Sequence, residues 1–151
     1  MTGFEQGLTA ATLLVAGFTA CAEFGSYAFV HPVLRRLPIE QHIAVEQGLV
    51  RTFGRFMPFA MTGSLLLVVA WVSVRPGPWL GEAAAVALWA FGLVTTILVN
   101  VRINAVTARW KSDGDSDTWR AMRARWELFQ GVRSWAFLAS FAVVVVLVAW
   151  W

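Results

Sequence analysis

Glu23 interrupts the apolar run "LTAATLLVAGFTACAEFGSYAFV", Asn100 and Asn104 interrupt "LVNVRINAVTARW", and Trp126, Gln130 and Arg133 lie in "RARWELFQGVRSW". Helical residues four apart share a face, so Asn100 and Asn104 point together while Arg102, between them, points away. Trp119, Arg123, Trp126, Gln130, Arg133 and Phe137 follow alternating steps of four and three, which is one continuous helical stripe. Before "LVRTFGRFMP", His42 and Glu46 share one face, while Arg51 and Arg55 share another. These residue types supply acid–base groups and hydrogen-bond donors. His42-x3-Glu46 also offers two ligand atoms for a metal or haem iron, with His42 a weak metal candidate because the pair has no third partner in sequence.

The elements that must position them follow from composition. Of 151 residues, 58% are hydrophobic, 14% are charged and nine are tryptophan. Mean hydropathy is +0.64. That lies outside the soluble range and indicates an integral membrane protein. A hydrocarbon core of roughly 30 Å needs about 20 apolar helical residues. Four spans satisfy it, near residues 8–30, 50–74, 80–103 and 128–150. The Val-rich end "FAVVVVLVAWW" favours a strand in water, yet one run has no barrel to join and lipid admits only helices or closed barrels. The expected fold is all-α, a four-helix transmembrane bundle in one domain spanning residues 1–151. The stretch "MTGFEQGLTA" carries no Lys or Arg, so the first span reads as a retained helix and not as a signal peptide.

Positive charge in short loops sets orientation. The first connection carries Arg35 and Arg36, with Arg51 and Arg55 following; the third carries Arg109, Lys111, Arg120, Arg123 and Arg125. The second connection, "RPGPWLGE", offers Arg75 alone. Loops 1–2 and 3–4 are therefore expected in the cytoplasm and both termini outside. Glu23, Glu46, His42, Asn100, Asn104, Gln130 and Arg133 then converge on the cytoplasmic half of the bundle. Ionisable groups at mid-bilayer cost about 2.5–3.5 kcal/mol each, so they pair and face the interior. Glu23 is expected to pair with Arg51, Arg55 or Arg133. The same groups could serve only to tie helices together, and that reading stays open.

Several residues receive plainer readings. Trp79, Trp110, Trp119, Trp150 and Trp151 fall where interfacial belts belong. His31, ahead of Pro32, reads as a helix-end residue, and the aspartates of "KSDGDSD" as a solvated turn and not a calcium loop. Cys21 is expected as a small buried residue on a Gly17, Cys21, Gly25 ladder suited to close helix approach. The isoelectric point near 10.0 follows the topology charges, so no nucleic-acid partner is expected. The bilayer is a partner by composition, and a homodimer suits a bundle this small. Nicotinamide, flavin and iron–sulfur motifs are absent from the sequence.

The order "VHPVLRRLP", "EQGLVRTFGRFMP", "NVRIN" with a following "RW", and "RARWELFQGVRSW" resembles the anthrone oxygenase-like integral membrane proteins over nearly the whole chain. That family opens its fourth helix with a W-x3-H-x2-R-like pattern, which reads here as Trp126, Gln130, Arg133. Glutamine stands where many relatives place histidine, and Arg102 where proline is common; glutamine does not titrate, so the histidine's proton-transfer or metal-ligand role is not carried over to position 130. The resemblance implies an integral membrane oxidoreductase, an oxygenase-like enzyme acting on a small lipophilic, anthrone-like aromatic substrate. Such a substrate needs a base and donors for a developing oxyanion. Glu23, Glu46 or His42 are expected as base, and Asn100, Asn104 and Arg133 as donors. Arg51, Arg55, Trp126 and Gln130 are expected to bind substrate or cofactor, with Phe56, Trp126 and Phe137 walling the pocket. Haem, copper and cofactor-free dioxygen chemistry all remain open. The alternative is a non-enzymatic membrane component such as a transporter subunit or partner protein, although of the usual transporter marks, interrupted helices and repeats, the first and third spans share no convincing repeat and only Pro58 interrupts a span.

Overall fold

The computed structural model describes residues 2–75, 77–111 and 114–150, so Trp151 and Asp113 of the features above lie outside the described residues. Four helices, α1 Gly3–Leu34, α2 Ile39–Val74, α3 Trp79–Thr107 and α4 Ser116–Trp150, are each long and apolar enough to cross a membrane. No strand occurs among the described residues. The protein is an all-α, four-helix integral membrane protein. α1 packs on α2 and α4, and α3 packs on the same two helices, which closes the bundle.

Hydropathy locates the apolar windows but not the helix ends. At about 1.5 Å per residue, α2 with 36 residues and α4 with 35 run to roughly 50 Å, beyond a hydrocarbon core of about 30 Å. The surplus lies at the end bearing the α1–α2 and α3–α4 connections, where both helices become amphipathic and start well before residues 50 and 128. Asp115 caps α4: it accepts from the Thr118 hydroxyl at 2.6 Å and the Thr118 amide at 3.0 Å. Those bonds, the hydroxyl's first, hold its carboxyl below the usual range.

Lipid gives apolar side chains no reason to prefer a neighbouring helix, so packing and interhelical hydrogen bonds hold the bundle. At the end away from those connections, Val68, Trp71, Ala85, Trp89, Val144 and Leu147 form a dry core. Trp89 Nε1 donates to the Met61 carbonyl at 2.9 Å, Trp71 Nε1 to Thr9 Oγ1 at 3.0 Å, and Ser140 Oγ to the Ala85 carbonyl at 2.7 Å. Close approach is built on glycine. A Cβ at Gly92 would sit 2.7 Å from the Phe137 ring, and one at Gly131 would sit 2.8 Å from Tyr27. The α1 ladder is realised only in part: Gly17 meets Phe141, but Gly25 faces open space and Cys21 is exposed, not buried.

Three helices depart from regular geometry at one level. α1 widens into a π turn at Ser26–Val30, and α3 does so at Thr96–Asn100. α2 is irregular at Thr52 and carries Pro58, which has no N–H for the helix ladder. The α1 turn matters for phase. Residues eight apart in a regular helix diverge by about 80°, whereas the extra residue of a wide turn brings Glu23 and His31 to within about 20° of one face.

Candidate functional site

Two buried ion pairs meet at this level. In the first, Glu23 Oε2 lies 2.9 Å from Arg133 Nη2 and accepts from Gln130 Nε2 at 2.8 Å. Arg133 Nη2 also donates to Gln130 Oε1, and its Nη1 donates to Thr96 Oγ1 at 3.0 Å. Of the three expected partners for Glu23, the bundle selects Arg133. Arg51 and Arg55 point outward on the exposed face of α2. Gln130 thus acts as a clamp between carboxylate and guanidinium, a role that needs an amide's donor and acceptor together.

In the second pair, Arg123 Nη2 lies 2.7 Å from Glu46 Oε2. Glu46 Oε1 faces two imidazoles, His31 Nδ1 at 3.2 Å and His42 Nε2 at 3.4 Å. Trp119 Nε1 donates to His42 Nδ1 at 3.3 Å, and Arg123 Nη1 donates to Thr107 Oγ1 at 3.5 Å. The Trp126 indole joins the two clusters. Arg123 lies 4.2 Å and Arg133 5.9 Å from its ring centroid, and the His31 ring is 4.7 Å away. Cations over an indole face are attracted by its quadrupole, more so out of water. Glu23, Arg133, Glu46 and Arg123 therefore sit inside the bundle as two matched pairs, which is how a membrane interior tolerates them.

A cavity of about 300 Å³ opens beside this network. Leu49, Phe53, Met57, Pro58 and Met61 form its apolar wall, and His31, Glu46, Thr96, Asn104, Trp126 and Arg133 its polar one. The three backbone irregularities all border it, through Ser26 and Val30 of α1, Thr96 of α3, and Pro58 of α2. Several buried polar atoms near it have no protein hydrogen-bond partner: Arg133 Nε, Trp126 Nε1 and Asn104 Oδ1, and also His31 Nδ1, His42 Nε2 and Glu46 Oε1, where each imidazole lies within ion-pair distance of the carboxylate oxygen but not in hydrogen-bond geometry.

Some expected residues lie elsewhere. Asn100 shares the buried face but spends its Nδ2 on the Trp126 carbonyl at 3.1 Å, tying α3 to α4 outside the cavity lining. Phe56 is exposed and packs edge-on against Phe18, while Phe137 is buried in the dry core against Trp89; neither walls the pocket. Trp119, read as an interfacial anchor, is fully buried because α4 begins at Ser116 and carries it inside. Trp79 and Trp150 do point outward, at 71% and 81% exposure. His31 is no helix-end bystander: it is 3% exposed and held by Glu46. The π turn that aims it inward leaves no mark in a hydropathy pattern.

The donor set fits a resident metal poorly. An indole N–H can only donate, so His42 Nδ1 must accept and Nε2 must carry the ring proton, leaving no lone pair there for a metal. Among the described residues no group of three or more His, Cys, Asp or Glu is arranged to hold a metal ion.

Fold and site define a four-helix integral membrane protein with a buried, paired-charge site beside an apolar cavity. The family model described as anthrone oxygenase matches residues 49–143, more than half of the chain, and the protein belongs to that family. No curated protein and no solved structure matches it. The matched segment carries Asn104, Trp126, Gln130 and Arg133, whereas Glu23, His31, His42 and Glu46 come from the chain before it.

Proposed function

We propose that the protein is a membrane oxygenase that binds a flat, lipophilic carbon acid of the anthrone type in this cavity and oxidises its methylene to a carbonyl with dioxygen. One observation carries the reading: an imidazole held by a buried carboxylate shares a largely apolar cavity with unpaired donors. A bundle built only for assembly gains nothing from buried polar atoms left without partners, each costing about 1–3 kcal/mol. That favours an enzyme over a passive membrane component.

The chemistry needs a base, an oxyanion site and dry surroundings. With Nδ1–H directed at Glu46, His31 keeps the Nε2 lone pair as its basic site. It takes a proton from the methylene, and the electron pair delocalises onto the ring ketone as an enolate. Arg133 Nε and Trp126 Nε1 are the donors for that oxygen, and Asn104 orients a polar edge of the substrate. The carbanion reduces dioxygen and forms a C–O bond to give a hydroperoxide, protonated by His31. Loss of water leaves the carbonyl, so CH2 plus O2 becomes C=O plus H2O with no other reductant or oxidant. No resident metal is required by this route. The exposed cations at the polar end support a cytoplasmic position for the α1–α2 and α3–α4 connections.

Protein in lipid nanodiscs, given 9(10H)-anthracenone, is expected to consume one O2 per quinone formed, with a primary isotope effect on deuterating the methylene. Its optical spectrum is expected to lack a Soret band. Oxidation no faster than in empty nanodiscs overturns the reaction, and a stoichiometric Soret band overturns its cofactor-free form.

A further inference from the structure

We infer that Trp119, outside the cavity lining, is a positioning residue that fixes the tautomer of His42, the imidazole that shares Glu46 Oε1 with the cavity base. This rests on reading His31 as the base. The chain starts from a group with one state: indole Nε1–H donates and never accepts. Trp119 is fully buried, and its N–H lies 3.3 Å from His42 Nδ1. His42 is therefore the tautomer with its proton on Nε2, the nitrogen that lies 3.4 Å from Glu46 Oε1. Glu46 Oε2 is taken by Arg123 at 2.7 Å, so Oε1 is the oxygen that serves both rings. A carboxylate oxygen only accepts, so His31 pairs with Oε1, 3.2 Å from its Nδ1, through the tautomer that carries its proton on Nδ1. The lone pair that results on His31 Nε2 is the one the reaction uses.

Two alternatives on the same residues fail. An interfacial role for Trp119 is inconsistent with its burial. A metal between the two histidines and Glu46 needs a lone pair on His42 Nε2, which the Trp119 bond denies. Besides Glu46, the charged groups around His42, Arg35 of the α1–α2 connection and Arg120, Arg123 and Glu127 of α4, border a separate cavity of about 300 Å³, and none bonds its ring.

Protonated and bare imidazole nitrogens resonate in separate 15N ranges, and the chain holds two histidines, so labelled protein in nanodiscs yields two assignable rings. Wild type is expected to show His42 with its proton on Nε2 alone and His31 with its proton on Nδ1 alone. Trp119→Phe keeps the ring and loses the N–H; His42 is then expected to become a mixture of tautomers. Trp110→Phe replaces an indole tilted against Trp119 at 5.5 Å that donates nothing to His42, and should leave both spectra unchanged. Anthracenone turnover in Trp119→Phe should fall about tenfold in kcat at unchanged KM, a part of the roughly 10²–10⁴ that a positioned base contributes. A wild-type His42 protonated on Nδ1, or an unchanged His42 in Trp119→Phe, overturns the inference. Should that variant not fold, the wild-type correlation across the hydrogen bond from the Trp119 indole proton to His42 Nδ1 decides it, and its absence counts against. Expected shifts in a protein inactive toward anthracenone would overturn the proposed reaction while supporting the tautomer chain.

Discussion

At the scale of single residues, Glu23 and Asn104 separate what holds the bundle from what the cavity does. Removing Glu23 leaves Arg133 buried with its desolvation and without its counter-charge, which costs about 3–5 kcal/mol. Glu23→Ala is therefore expected to lose most of its folded yield in detergent. Glu82→Ala, at a half-buried carboxylate in the first turn of α3, should stay near wild type, and Glu5→Ala should show only the smaller loss of a helix cap. Comparable thermal stability across the three variants would show the Glu23–Arg133 pair to be dispensable. Asn104 is the reverse case. Its Oδ1 has no protein partner, so Asn104→Ala gives up little on folding and should melt within about 0.5 kcal/mol of wild type. Because this amide orients the polar edge of the substrate, turnover should drop roughly 10²-fold, as on misplacement of a bound substrate by about 1 Å. Full turnover in Asn104→Ala would remove α3 from the reaction. The stripe from Trp119 to Phe137 was legible in sequence because α4 is regular there, and every member is buried. Thr96 and Thr107, which accept from the two arginines, were not: a threonine hydroxyl in a membrane helix usually bonds its own backbone, and nothing in the sequence separates the two uses.

The element scale is governed by helix phase, and α1 is where the sequence misleads. Counting regular turns from Glu23 rotates His31 away from the interior, and only the extra residue in Ser26–Val30 restores it. A wide turn behaves as an insertion already absorbed. Removing one residue from it, by deletion of Ala28, should return α1 to regular geometry without turning His31 off Glu46. Such a variant is expected to fold with a loss of about 1 kcal/mol and to retain the Nδ1 proton signal of His31. Deleting Leu13 is the contrasting case, because it turns the preceding segment by about 100° and carries Thr9 away from Trp71, 3.0 Å distant in the native bundle. Equal damage from the two deletions, read by thermal melting in nanodiscs, would mean that the π turn is itself a structural requirement and not an accommodated extra residue. The same turn borders the cavity through Ser26 and Val30, so placing His31 and opening space beside it are two effects of one irregularity.

Across the whole molecule, charge is distributed along the bundle axis in a way that sets orientation separately from the site. Arg123 and Arg133 are buried and matched to Glu46 and Glu23, so they count toward the site and not toward topology. What remains at that end is a ring of exposed cations, Arg35, Arg36, Arg51, Arg55, Arg102, Arg109, Lys111, Arg120 and Arg125. Arg102 belongs to this ring, which explains why it points away from the two asparagines that flank it. At the opposite end stands Arg75, folded over the Trp71 ring at 5.1 Å. Positive residues close to helix ends are retained on the cytoplasmic side, and each lies in a headgroup field worth about 1 kcal/mol on an anionic leaflet. The expected orientation has the α1–α2 and α3–α4 connections inside and both termini outside. In a Cys21→Ser background, Gly3→Cys at the start of α1 and Glu40→Cys at the start of α2 are both exposed reporters, at opposite ends of the bundle. A membrane-impermeant maleimide added to intact cells is expected to label position 3 and to reach position 40 only after permeabilisation. Labelling of position 40 in intact cells would invert the bundle, and the cavity would then face the other leaflet with its internal geometry unchanged.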